Sequence, residues 1–184
     1  MAQMDTSPLL HSLSAFCAWD AIEQNSLARI RHFLCATPAP FARSTLAGHI
    51  TGSAVLTNTP HTLLLLIWHE KLSRWLQPGG HCEPNQDADV QATALRELIE
   101  ETGLPQASLR LLSAQPFDVD VHLIPARKAE PEHWHYDVLF LFEFIGEPDV
   151  ASAAYRWVSV AEVAGLPDES LSRLAKKLAR AFSS

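Results

Sequence analysis

The sequence predicts a layered domain of the α/β (α+β) class, with helices flanking a mixed sheet, and three observations carry that prediction. Apolar or β-branched stretches such as HITGSAVLTN (49–58), HTLLLLIWH (61–69) and HYDVLFLFEF (135–144) have the length and composition of buried strands. Helix-periodic segments stand before, between and after them, at 8–36, 88–102 and 169–182. The 184 residues, 47% hydrophobic, suffice for one substantial core and are short for two. A single domain spanning 1–184 is expected, with residues 1–40 forming an N-terminal helical extension.

Taken in order, LLHSLSAFCAW and IEQNSLARIRHFL read as two helical segments with Asp20 as an N-cap between them, ended by Pro38 and Pro40 of TPAP. Leu9, Leu10, Leu13, Phe16, Trp19, Ile22, Leu27, Ile30 and Leu34 recur there at helical intervals. Left exposed, such a surface would aggregate, so the extension should pack on the domain. The two strands at 49–58 and 61–69 turn at Thr59 and Pro60. After WLQPGGH comes a helix over 88–102, stopped by Gly103 where a left-handed cap is required. SLRLLSAQPFDVDVHLIPA (108–126) and 135–144 are again strands, AYRWVSV (154–160) a shorter one, AEVAGL helix-like, and ESLSRLAKKLARAF (169–182) a last amphipathic helix.

The formal charge is -7 and the Lys and Arg residues are scattered. That leaves no basic surface for a nucleic-acid polymer or an anionic membrane, and an anionic ligand would need a metal cation beside it. Cys17, Cys35 and Cys82 are odd in number and lack CxxC spacing, which argues against a disulfide framework or a zinc site and for a reducing, cytoplasmic setting. They read as small core residues, with Cys82 an oxidation-sensitive candidate because of its loop. The N-terminus has no signal-peptide pattern, and the run Leu63 to Trp68 is too short to span a bilayer. A soluble, unprocessed monomer or homodimer is expected.

The helix over 88–102 carries the chemistry. At about 100° per residue, Thr93, Arg96, Glu97, Glu100 and Glu101 fall on one arc, while Ala92, Ala94, Leu95, Leu98 and Ile99 occupy the rest. Like charges at this spacing repel, so the arc implies a missing cation. Hard cations such as Mg²⁺ take oxygen ligands and share them with phosphate. A Pro-Gly-Gly loop precedes the helix and permits close approach of a ligand.

GGHCEP followed by ALRELIEETGL resembles the signature of the Nudix hydrolases, matching at Gly80, Arg96, Glu97, Leu98, Glu100, Glu101, Gly103 and Leu104. The resemblance implies a Nudix-like α/β/α sandwich with a mixed β-sheet, here with additional N-terminal helices. It also implies hydrolysis of a small-molecule diphosphate, such as a nucleoside diphosphate derivative, by water attack on phosphorus with Mg²⁺ or Mn²⁺. Glu97, Glu100 and Glu101 would be metal ligands together with a backbone carbonyl of Gly79 or Gly80. Arg96 would brace the catalytic motif, and Glu97 or Glu100 would act as general base.

Two departures stand out. Fifteen residues separate Gly80 from Arg96, two more than in the family's pattern, and Gln86 occupies the place of the glutamate that orients the arginine. Asp87 and Asp89 are the alternative partners.

Beyond the motif, Asp118, Asp120 and His122 alternate along one strand, and His133, His135 and Asp137 along another, so each set shares a strand face. Nine histidines invite a second metal site, and with His81 beside the glycines a histidine cluster near the diphosphate is one reading, although no HxxxH or CxxC spacing ties them together. His81, His122 and His135 are equally candidate substrate-binding residues. Trp134, in an exposed-looking EHWHYD loop, is the aromatic candidate for stacking a base. Two other readings compete with a hydrolase. An isomerase of the isopentenyl-diphosphate type would need a catalytic cysteine in a context these cysteines lack, and a non-catalytic ligand sensor would be expected to carry an eroded RExxEE.

Overall fold

The computed structural model describes residues 4–70, 72–126, 131–149, 152 and 154–183. The described residues build an eight-stranded mixed sheet between helices. In chain order the elements are α1 (Ser7–Ser14), α2 (Ala21–Ala36), β1 (Gly48–Asn58), β2 (Leu63–His69), β3 (Arg74–Leu76), β4 (Gly79–His81), α3 (Val90–Thr102), β5 (Leu109–Leu111), β6 (Asp118–Ile124), β7 (His133–Phe144), β8 (Tyr155–Ser159), α4 (Val160–Ala164) and α5 (Glu169–Ala181).

Two long strands organise the sheet. β1 and β7 run parallel in continuous register from Gly48↔Trp134 to Asn58↔Phe144. The outer edge of β1 is shared by β4, at Thr51↔His81 and Ser53↔Gly79, and by β2, at Thr57↔Leu64. The outer edge of β7 is shared by β6 over His133–Leu139 and by β5 near its end. β3 and β8 complete the sheet on β2.

Strand alternation then sorts residues onto two faces. Ile50, Ala54 and Leu56 of β1 and Val138, Phe140 and Phe142 of β7 form one core with α1, α2 and α3, which contribute Leu9, Leu13, Leu27, Ile30, Phe33, Ala94 and Leu98. Leu98 is wholly buried, and Leu98→Ala should cost about 2–5 kcal/mol. On the other face Val55, Leu64, Leu66, Leu139 and Leu141 pack against Leu171, Leu174, Ala175 and Leu178 of α5. At the His49 and His133 end, that second face is polar.

Local signals account for the helix ends. Asp20 caps α2 by accepting from the Glu23 amide at 2.8 Å, and Asp89 caps α3 by accepting from the Ala92 amide at 2.8 Å. Gly103 ends α3 with φ of 71°, a left-handed conformation that glycine adopts without penalty. The 108–126 stretch, expected as strand, is interrupted. It is two strands, β5 and β6, because Pro116 breaks the run and the pieces pair with different parts of β7.

Candidate active site

A cleft of about 470 Å³ opens on the polar half of the second face, lined by the strand ends and by one edge of α3. At Gly79 no side chain fits beside the Ser53 backbone, and at Gly80 a side chain would displace the Glu97 carboxylate. A Cβ on Gly79 would lie 2.1 Å from Ser53 Oγ, and one on Gly80 would lie 2.5 Å from the Glu97 carboxylate carbon. The bare strand β4 thus lets α3 press its carboxylates against backbone.

Glu97 and Glu101 both line this cleft with Gly79 and Gly80. Glu101 accepts a 2.9 Å hydrogen bond from the Gly79 amide, and among the described residues no cation lies within ion-pair distance of it. Burial pushes its carboxyl up to about 7, against the Gly79 amide and with further upward pressure from Glu97 and Glu100. Burial also raises Glu97, opposed by Arg96, whose Nη1 donates to Glu97 Oε1 at 2.9 Å. Glu100 is placed differently. Its side chain is 57% exposed against 16% for Glu97, it is absent from the cleft lining, and it pairs with Arg96 at 3.1 Å one turn along.

Arg96 resolves the question of its partner. Its Nε and Nη2 donate to the two oxygens of Asp87 at 2.9 and 3.0 Å, while Nη2 also reaches the His81 carbonyl at 2.9 Å. Asp89 is occupied as the α3 cap, and Gln86 turns outward to Glu83. Asp87 is buried and receives two more bonds, from the Glu83 amide and Thr93 Oγ1. Burial alone would raise its carboxyl, but Arg96 and these donors hold it below the ordinary carboxylate range. The guanidinium therefore ties the end of β4 to the start of α3 across the two-residue insertion.

The opposite wall comes from strands distant in sequence. Asp137 is buried beneath the cleft and accepts from Thr51 Oγ1 at 2.8 Å and from Ser53 Oγ at 2.8 and 2.9 Å. Asp120 and His122 of β6 line the cleft as well, joined at 3.3 Å, and Arg74 enters from β3. Burial would lower His122, but Asp120 and Asp137 raise it. His81 and His135 also line the cleft. Burial and the surrounding imidazoles of His81, His122, His49 and His133 push His135 down to about 2.

Trp134 lies elsewhere. It belongs to strand β7 and not to a loop, and it faces away from His135, so its ring sits on the other side of the sheet with the Arg29 guanidinium 4.1 Å from its centroid. Of the cysteines expected in the core, Cys82 is buried there, whereas Cys17 and Cys35 are exposed. Burial pushes the Cys82 thiol up to about 12, which disfavours the thiolate and runs against an oxidation-sensitive role.

Sequence reasoning did not single out Thr51, Ser53 or Arg74. No periodicity links them to the motif; they reach the cleft through strand pairing. Among the described residues no helix is long and apolar enough to cross a membrane.

A family model described as the NUDIX domain matches residues 49–182, leaving α1 and α2 outside the matched segment. No curated protein matches the chain. Among solved structures it is similar to the Ap4A hydrolase of C. elegans, with TM-score 0.55 and 17% identity over 73% of this chain and 98% of that one. It is likewise similar to the NUDIX domain of Shewanella oneidensis NrtR complexed with ADP ribose, with TM-score 0.50 and 20% identity over 83% and 97%. RenU, a Nudix hydrolase from M. smegmatis, gives TM-score 0.50 and 18% identity over 73% and 86%.

Proposed function

Because the chain belongs to the Nudix family, we propose that it is a metal-dependent hydrolase cleaving the diphosphate linkage of a nucleoside diphosphate derivative or related compound. The observation that carries this reading is the pair Glu97 and Glu101, held half-buried against Gly79 and Gly80, with Arg96 bonded to Glu97 and only the Gly79 amide on Glu101. Carboxylates desolvated without matching cations are costly, and a cation supplied with the substrate offsets that cost.

The donor set fits Mg²⁺ or Mn²⁺: two carboxylates on the cleft wall, a backbone carbonyl of Gly79 or Gly80, and Glu100 within one turn as an outer oxygen. When bound, such a cation neutralises diphosphate oxygens and eases deprotonation of water. The chain's own residues do the rest. Arg96 is a positioning residue, since all four of its partners, Asp87, His81, Glu97 and Glu100, are protein groups. Glu97, facing the cleft and raised above the ordinary carboxylate range, is suited to take the proton of the attacking water. Glu100, turned outward, is less suited to that step. On the far wall, Arg74, His122 and His135 are positioned to meet the distal part of the substrate.

The test is a panel containing ADP-ribose, diadenosine tetraphosphate, nucleoside triphosphates and non-nucleotide diphosphates, assayed with Mg²⁺ and Mn²⁺ for release of phosphate, nucleoside monophosphate and pyrophosphate. Metal-dependent turnover that falls at least about 100-fold in Glu97→Gln supports the reading. Tight binding of a panel member without any turnover would favour a sensor instead.

A further inference from the structure

We propose that His49, His81 and His135 together bind one borderline-soft divalent metal of the Zn²⁺ class, at a site distinct from the carboxylates of α3. The sheet register creates it. His49 of β1 stands opposite His135 of β7, and Thr51↔His81 sets His81 of β4 on the same face, one step along. The three rings have centroid separations of 4.8, 4.9 and 5.1 Å. One ligand nitrogen from each lies within 4.8 Å of the others.

A tetrahedral zinc with bonds of about 2.1 Å holds its nitrogens about 3.4 Å apart. Binding would draw the nitrogens together from their present separation, by rotation of the imidazoles about their side-chain bonds. Supporting groups surround the triad. His133 stacks on His49 at 5.1 Å, and His122, braced by Asp120, lies 5.5 Å from His135. His135 Nε2 is buried and has no hydrogen-bond partner among the described residues, an arrangement that folded proteins avoid unless something else satisfies the atom.

Ligand chemistry separates this site from the carboxylate one. Imidazole favours Zn²⁺, Ni²⁺ and Cu²⁺ and serves Mg²⁺ poorly, whereas the α3 carboxylates have the opposite preference. Three protein nitrogens leave a fourth position, the arrangement of zinc sites that accept an exogenous ligand. His81 and His135 line the cleft while His49 lines a smaller pocket beyond it, so an anionic oxygen of a cleft ligand is within the site's compass. The inference stands whether or not the hydrolase reading does.

The experiment uses the full chain stripped of metal and titrated with Zn²⁺ by calorimetry and with Co²⁺ by visible absorbance. The first equivalent is expected to bind tightly, ahead of any weaker ion on the α3 carboxylates, with the intense bands of four-coordinate Co²⁺, and X-ray absorption of the wild type loaded with one equivalent of zinc should show three imidazole nitrogens. His49→Gln and His135→Gln should each weaken binding about 100-fold, while Glu97→Gln and Glu101→Gln should leave the cobalt spectrum in place. Absence of saturable binding by the folded wild type would overturn the proposal. So would zinc ligation by oxygens alone, or binding lost in the glutamate variants and retained in the histidine ones. The wild-type absorption measurement decides the matter even if a histidine variant fails to fold.

Discussion

Asp118 of β6 is a buried carboxylate and Glu101 of α3 a half-buried one, and the molecule surrounds them differently. Asp118 accepts from Arg173 Nε at 3.1 Å, from Arg173 Nη2 at 2.9 Å and from Lys177 Nζ at 2.9 Å, and the same lysine reaches Glu23, which is wholly buried at the end of α2 nearest Asp20. Each carboxylate of this cluster has a cation at hand, because α5 brings Arg173 and Lys177 to the same place one turn apart. Glu101 has a single backbone amide. The difference shows that burial of acids does not by itself mark a site. A deficit of positive charge does, and it falls where the Gly-Gly strand opens into the cleft.

The largest expected effect comes from disturbing the compensated cluster. Arg173→Ala leaves Asp118 with Lys177 alone and should cost about 3–5 kcal/mol, lowering the thermal midpoint by roughly 6–20 °C for a chain of this size. The increment in midpoint on adding Mg²⁺ should not change, because Arg173 is remote from α3 in the hydrogen-bond pattern. Next come Glu97→Gln and Glu101→Gln. Both keep an oxygen to accept from Arg96 or Gly79, so folding should hold while hydrolysis drops at least about 100-fold, about 2.7 kcal/mol of barrier. A loss of stability matching the loss of activity would make these glutamates structural and erase the contrast.

The third effect is a pH dependence. Glu101 titrates at about 7 in the folded protein, above its ordinary value of 4.5. The folded state therefore holds the proton more tightly than the unfolded chain. The stability this confers is complete below about 4.5 and is lost as pH rises through 7. Denaturant titrations of the metal-free protein should show that decline, and Glu101→Gln should lessen it without abolishing it, because burial also pushes the Asp118 carboxyl up to about 7, against Arg173 and Lys177. Mg²⁺ must displace the same proton, so its apparent affinity should rise across the same interval. The smallest effect belongs to Glu100→Gln. Its exposed pairing with Arg96 is worth about 0.3–0.5 kcal/mol, so stability should barely move, and its activity loss should be smaller than that of Glu97→Gln.

Much of this was legible in the sequence wherever the information is local. The α3 arc, the Asp20 and Gly103 caps, the strands β1, β2 and β7, and the placement of His122 with Asp120 all follow from periods of 3.6 or 2 and from capping chemistry. What was not legible depends on pairing across the chain. The bonds from Thr51 and Ser53 to Asp137 bridge separations of 86 and 84 residues, and the parallel β1–β7 register that makes them has no local signal. The EHWHYD segment looks like a loop because charged and aromatic residues mask a strand end, yet the alternation that groups His133, His135 and Asp137 sends Trp134 to the opposite face. Asp87 and Asp89 were equivalent by spacing alone. The turn closed by the Asp87 amide on the Glu83 carbonyl separates them, aiming Asp87 inward and leaving Asp89 to cap. The three-residue strands β3 and β4 are too short for any periodicity, and β4 exists because β1 offers it an edge.

The central claim is that Glu97 and Glu101 form an under-compensated carboxylate pair awaiting a divalent cation, and the most direct test needs no substrate. Thermal midpoints of the wild type, Glu97→Gln and Glu101→Gln would be measured near pH 8 with and without saturating Mg²⁺. The account predicts that both variants equal or exceed the wild type without metal, because repulsion and desolvation are relieved, and that the wild type alone gains substantially when Mg²⁺ is added, since only it binds the ion well. Equal Mg²⁺-induced shifts in all three proteins would contradict it.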